Sequence, residues 1–225
     1  MIAIVIADGA VPQRTALERH VDASSLADAL IVAADGGARR ALELGLTPHV
    51  VVGDGDSLPA ATADELRASG TELISHPRAK DQSDTELAVR EALRRGAQRV
   101  VVIGAFGGRR LEHTLANVLM LALPDLAAVD IALVDDVSTI RVMGDGPPAT
   151  LTVSGSAGDF VSLLPLSERV EGVTTDGLAF PLRDEDLWQG PTRGLSNQMT
   201  SDTAAVARRR GRLAVIHTLS DGDTR

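Results

Sequence analysis

The sequence predicts an α/β N-terminal domain with a mostly parallel sheet, followed by an all-β sandwich C-terminal domain. Three observations carry this. The first part of the chain alternates short β-branched runs with longer stretches of helical period, as in a parallel sheet with helical crossovers. Runs such as Val100-Val-Val-Ile103 are apolar throughout, as expected when both sheet faces are covered. Beyond Gly144-Asp-Gly-Pro-Pro148 the helical period disappears, and short strand-like runs follow one another across Gly, Pro and polar turns.

In order along the chain, strands are expected at 2–7, 29–34, 49–53, 71–75, 99–104 and 129–134. The first, Ile2-Ala-Ile-Val-Ile-Ala7, lacks the basic head of a signal peptide and reads as a buried strand. Helices are expected at 37–44, 60–68, 84–94 and 113–123. Ser83 and Glu86 have capping-box spacing at the start of the third. Leu115, Val118, Leu119 and Ala122 supply the apolar stripe of the fourth. The C-terminal strands are expected at 149–153, 159–165, 170–175, 194–199 and 213–218, and the end from Ser220 to Arg225 reads as a frayed tail. The domains are therefore placed at 1–145 and 146–225, with the Gly-Asp-Gly-Pro-Pro stretch as the boundary.

The chain has 225 residues, a net charge of −9 and no cysteine. Disulfides, thiolate catalysis and cysteine–zinc sites are excluded, and a reducing cytoplasm fits. Nucleic-acid surfaces are usually basic, so no nucleic-acid partner is expected. No apolar run approaches the ~20 residues that span a bilayer, so no membrane partner is expected either. An acidic protein can still bind a nucleotide where metal ions bridge its carboxylates to phosphates. Trp188, Phe106, Phe160 and Phe180 are the whole aromatic supply. A ring-stacking site must draw on these, on histidine or on a partner chain.

Ligands of open α/β sheets bind beyond the carboxyl ends of the strands. Acids stand at several such ends: Asp8, Asp35, and the pair Asp54 and Asp56 in Gly53-Asp-Gly-Asp-Ser57. Gly36 and Gly37 after Asp35 permit a tight turn and a close approach to a ligand. Carboxylates this close repel one another unless a cation lies between them, and hard oxygen ligands suit Mg²⁺ bound to phosphates. A solvated turn would account for the Gly-Asp pairs equally well. In His76-Pro-Arg-Ala-Lys-Asp-Gln-Ser-Asp84, Lys80 could hold a phosphate, and Asp81 and Asp84 could complete a metal site. Helix initiation and a surface Lys80–Asp81 pair are the plainer accounts. The loop Gly104-Ala-Phe-Gly-Gly-Arg-Arg-Leu-Glu-His113 joins a buried strand to a helix. There backbone N–H groups can face an anion and Arg109 and Arg110 can add bidentate contacts, although the loop is neither a Walker A nor a dinucleotide fingerprint. His113 and Asn117, four apart, share one helix face.

Five stretches together resemble the thiamine pyrophosphokinase family: Ala34-Asp-Gly-Gly-Ala38, Gly53-Asp-Gly-Asp-Ser57, Lys80-Asp-Gln-Ser-Asp-Thr-Glu-Leu-Ala88, Gly107-Gly-Arg-Arg-Leu-Glu-His-Thr-Leu-Ala-Asn117 and Gly194-Leu-Ser-Asn197. The resemblance implies an ATP- and Mg²⁺-dependent enzyme that works as a homodimer, with its site in a cleft between subunits. By that resemblance Asp54, Asp56 and Asp84 hold the metal on the nucleotide phosphates, beside Asp81 and Lys80. It puts Asp35, Gly36, Gly37, Gly107, Arg109, His113 and Asn117 around the nucleotide. It assigns Gln82, Glu112, Ser196 and Asn197 to thiamine, with Trp188 as a stacking candidate. Two departures stand out: Glu112 replaces the usual Asp before the helix histidine, and Gly55 stands where an aromatic residue is common. Two other readings stand beside this one, the first of which these departures leave room for. One is a pyrophosphokinase for another alcohol such as a pterin; the other is a non-catalytic nucleotide- or thiamine-binding regulator.

Overall fold

The computed structural model describes residues 1–220. It divides into two compact units: Met1–Met120 with Asp130–Asp136, and Leu121–Val129 with the chain from Val137 onward. The first unit carries β1 (Ile2–Ile6), α1 (Arg14–Glu18), α2 (Ala23–Ala27), β2 (Leu30–Ala34), α3 (Gly37–Glu43), β3 (Val50–Gly53), α4 (Ala60–Ala68), β4 (Glu72–Ser75), α5 (Asp84–Arg94), β5 (Arg99–Ile103), α6 (Leu111–Met120) and β6 (Asp130–Val134). Its strands pair in parallel in the order β6-β5-β1-β2-β3-β4. The chain builds outward from β1 to β4 and then returns to set β5 on the other side of β1. That reversal opens a crevice at the carboxyl ends of β1 and β5, the topological switch point of the sheet.

Burial explains the apolar runs. Ile4, Ile6, Val101 and Ile103 are fully buried and pack with Leu17, Val21, Leu26 and Ala41 from α1, its flank, α2 and α3. Helix α5 packs on β1, β2 and β3 through Thr85, Ala88, Val89 and Ala92, an i, i+3, i+4, i+7 face. The Ser83 hydroxyl accepts from the Glu86 amide at 3.2 Å. The Glu86 carboxylate turns to Arg90 at 2.8 Å, so Ser83 supplies the cap and Glu86 a helix-face ion pair.

Three expectations for this unit need correction. Helices α1 and α2 stand where none is expected. Helix α6 runs over Leu111–Met120 rather than 113–123. Its leucines do not form the buried stripe: Leu111, Leu115 and Leu119 are 70%, 56% and 58% exposed, and the buried positions are Asn117 and Met120.

The second unit is an antiparallel sandwich of β7 (Ser138–Met143), β8 (Ala149–Ser154), β9 (Phe160–Pro165), β10 (Arg169–Asp176), β11 (Glu185–Trp188), β12 (Asn197–Gln198), β13 (Thr203–Arg208) and β14 (Leu213–Thr218). One layer runs β12-β9-β14-β7 and the other β11-β10-β13-β8. Val161, Leu163, Leu213 and Val215 of the first meet Val153, Val170, Val173, Leu187 and Val206 of the second. Strands β7, β11 and β13 are additions to the expected set, and 194–199 shrinks to the two residues of β12. Because β7 precedes Gly144-Asp-Gly-Pro-Pro148, that stretch lies within the second unit rather than ahead of it.

The carboxylate of Asp159 is fully buried. It accepts from the amides of Ser156 and Ser220, each at 2.9 Å, and lies 2.8 Å from His217 Nε2. Burial opposes its charge, but these partners outweigh burial and hold its pKa below the ordinary value. Ser220 is therefore tied down rather than frayed; the rest of the expected tail, 221–225, lies outside the described residues. Among the described residues, no helix is long and apolar enough to cross a membrane.

Candidate active site

A cleft of about 1030 Å³ opens at the carboxyl ends of the parallel strands, at the switch point. Its acidic floor is set by two strand ends. Asp35 follows β2 with a φ of 42°, and Asp54 and Asp56 follow β3. One carboxylate oxygen from each of Asp35, Asp54 and Asp56 lies within 4.8 Å of the others. Asp35 is buried; its Oδ2 accepts from the Ser57 amide at 3.1 Å, while its Oδ1 is buried without a hydrogen-bond partner. A buried carboxylate with an unpartnered oxygen, grouped with two further carboxylates, is a set of residues that could hold a hard divalent cation.

The electrostatics point the same way. Burial pushes the Asp35 carboxyl up; its hydrogen bonds with Ser57 work against this, and the nearby charges of Asp84 and Asp54 add to the rise. The Arg78 guanidinium holds Asp56 below the carboxylate range. It is ion-paired with Asp56, and its Nε is 3.6 Å from Asp54. Asp84, expected as a metal ligand beside Asp54 and Asp56, pairs with Lys80 at 2.6 Å, and the three carboxylates that come within 4.8 Å of one another are those of Asp35, Asp54 and Asp56. The expected Lys80–Asp81 pair gives way to this one: the loop of residues 80–83 returns the Lys80 ammonium to the first residue of α5, while Asp81 is exposed.

The glycines after Asp35 serve close packing. A Cβ at Gly37 would overlap the Ile6 carbonyl oxygen, and one at Gly36 would lie 2.7 Å from Asp8 Cγ. Gly55 has a φ of +77° with open space where a Cβ would be, so the missing aromatic is a matter of backbone conformation, not of crowding.

Above the acids, Lys80, Gln82 and Asp84 line one wall, and Gly107, Gly108, Arg109, Arg110, His113 and Asn117 line the other. The Asn117 amide donates to the Ala105 carbonyl at 2.9 Å and so pins the strand-to-helix loop to α6. Glu112 points elsewhere: it is 64% exposed and ion-paired with Arg110 at 2.6 Å, which lowers its pKa. Asp81 is exposed and does not line the cleft. The sequence reading missed three cleft cations. Arg39 and Arg40 approach Asp8 at 3.6 and 3.5 Å, and Arg78 covers Asp54 and Asp56. Their signal was adjacency, since Arg39 follows the Asp-Gly-Gly turn and Arg78 precedes Lys80 by two residues.

The remaining three expected site residues belong to the sandwich unit. Ser196 has a φ of 56°, and its amide donates to the Ser162 hydroxyl at 3.0 Å. Both ends of the Asn197 side-chain amide hold Phe180: Oδ1 accepts from its N–H at 2.9 Å and Nδ2 donates to its carbonyl at 2.6 Å. Trp188 is 49% exposed, with the Arg169 guanidinium 5.4 Å from its ring centroid. One face of that ring already holds a cation.

Residues 23–133 match the family model described as thiamin pyrophosphokinase, catalytic domain, and residues 149–213 match thiamin pyrophosphokinase, vitamin B1 binding domain. A thiamine pyrophosphokinase of Bacillus subtilis (strain 168) is 26% identical over 188 residues, covering 83% of this chain and 86% of that one. The solved thiamin pyrophosphokinase of Geobacillus thermodenitrificans superposes with a TM-score of 0.81 at 28% identity, over 98% of this chain and 99% of that one. A thiamin pyrophosphokinase family protein of Enterococcus faecalis gives 0.80 at 28% identity, with the same coverage of 98% and 99%. With two family models in sequence along most of its length, and a cleft of this composition, the chain belongs to the thiamine pyrophosphokinase family, whose general reaction is pyrophosphate transfer to a thiamine-like alcohol.

Proposed function

We propose that the protein transfers the diphosphate of ATP to the hydroxyl of thiamine, giving thiamine diphosphate and AMP, with Mg²⁺ bound at Asp35, Asp54 and Asp56. The observation that carries this is the meeting of three carboxylate oxygens at a cleft whose walls carry Lys80, Arg109 and Arg110. Bound there, Mg²⁺ supplies neutralisation of charge on the phosphate oxygens. Lys80 and Arg109 grip phosphate oxygens, and the Gly107–Gly108 backbone approaches the same groups closely. The thiamine hydroxyl attacks the β-phosphorus in line, the bond to the AMP oxygen breaks, and the hydroxyl proton passes to a carboxylate. Catalysis of this kind is chiefly positioning and charge stabilisation.

Gln82 lies in the cleft where it can orient the acceptor, and Ser196 and Trp188 are proposed to help bind thiamine. We propose a homodimer, supported by the exposed leucines of α6, and a cytoplasmic location, where ATP is supplied. Incubating the protein with ATP, Mg²⁺ and thiamine should yield AMP and thiamine diphosphate in equal amounts. Turnover only with a pterin alcohol, or thiamine binding without turnover, would overturn the assignment. Asp54→Asn should lower kcat by about 10²-fold or more with an unchanged melting temperature. Wild-type turnover by that variant would remove Asp54 from the site.

A further inference from the structure

Arg78 and Lys80 sit two residues apart in the segment between β4 and α5, and both line the cleft, yet their settings differ. The Lys80 side chain is 13% exposed and fixed to Asp84 at 2.6 Å. The Arg78 side chain is 76% exposed, so packing does not hold it. What holds it is charge: its guanidinium is ion-paired with Asp56 and stands 3.6 Å from Asp54. Those two carboxylates, with Asp35, form the converging acidic group. The guanidinium therefore sits against two of the three carboxylates that would hold a cation.

We propose that Arg78 is an internal counter-ion that a divalent metal must displace from Asp54 and Asp56, and that, once released, it turns to the nucleotide phosphates. The inference rests on the metal reading given above. An exposed ion pair is weak, so a divalent cation facing three carboxylates outcompetes a single guanidinium. A freed guanidinium matches phosphate oxygens as well as it matches carboxylate oxygens. The same side chain thus disfavours metal binding alone and favours metal bound with a triphosphate. Metal and nucleotide then bind in concert, and the free protein holds a bare cation more weakly than it would without Arg78.

The test measures binding, not turnover. Mn²⁺ is titrated into wild type, Arg78→Gln and Arg78→Lys by calorimetry without nucleotide. A non-hydrolysable ATP analogue is then titrated in the presence of saturating Mg²⁺. Melting curves confirm that each variant is folded, as the exposure of Arg78 leads one to expect. Arg78→Gln should bind Mn²⁺ alone about 3-fold more tightly and the analogue about 5-fold more weakly, with Arg78→Lys between. Equal Mn²⁺ affinity in wild type and Arg78→Gln would overturn the proposal alone. Weaker Mn²⁺ binding by Arg78→Gln would also overturn it, because Arg78 would then be organising the acids rather than blocking them. Absence of Mn²⁺ binding by every protein would overturn it together with the metal site.

Discussion

Asp35 combines a backbone conformation uncommon for a residue with a side chain, a carboxylate only 5% exposed, and an oxygen with no hydrogen-bond partner. Such a residue is a net cost to the metal-free fold. Its pKa is raised, chiefly by burial, so the folded state favours the protonated carboxyl more than the unfolded chain does. That preference contributes stability below about pH 4, where unfolded carboxylates are also protonated, and the contribution is lost as pH rises through the raised value. Asp35→Asn should therefore match wild type near pH 4 in EDTA. At pH 8 it should exceed wild type by about 1–2 kcal/mol in denaturant unfolding. The variant should gain no stability from added Mg²⁺. A gap that does not change with pH would mean that the Asp35 charge is already neutralised in the metal-free protein.

At the level of elements, α3 begins where it does because Gly37 lies against the Ile6 carbonyl. Alanine has the higher helix propensity, but here its methyl has no space. Gly37→Ala should cost about 1–3 kcal/mol by forcing α3 away from β1, read as a drop in melting temperature. An unchanged melting temperature would show that α3 can shift freely, and with it Asp35. Elements with a strong periodic signal were legible in the sequence. The expected 84–94 helix coincides with α5 because Ser83 caps it and Thr85, Ala88, Val89 and Ala92 fall on one face. Helices α1 and α2 are five residues each, too short for a helical period to show. Strand β13, Thr-Ala-Ala-Val-Ala-Arg, is rich in alanine, a poor strand former, and is a strand because β8 and β10 flank it. The leucines of α6 misled for a related reason: periodicity reports an apolar face, not which surface covers it.

For the molecule as a whole, those leucines become informative. Leu111, Leu115 and Leu119 lie at four-residue spacing along the helix that carries His113 and Asn117 into the cleft. If the protein is a homodimer built on this face, Leu115→Glu should shift it toward monomer in sedimentation velocity and lower turnover. A dimer of wild-type stability in that variant would move the interface elsewhere. The fold class and the strand-end acids could be read from the sequence because α/β sheets place loops at one end. The entry of Asp35 into the acidic group and the cover that Arg78 provides could not, since each depends on how separate loops converge.

The Asp159 cluster carries a lesson for the end of the chain. Strand β14 is held along both flanks by β7 and β9, and just beyond it Ser220 supplies an amide to an anion sealed inside the sandwich. A premature stop before His217 would remove two of the groups that keep this charge solvated by protein. The shortened product would be a substrate for quality-control proteases rather than a weakened enzyme, whereas a fusion joined after Ser220 would leave the latch whole.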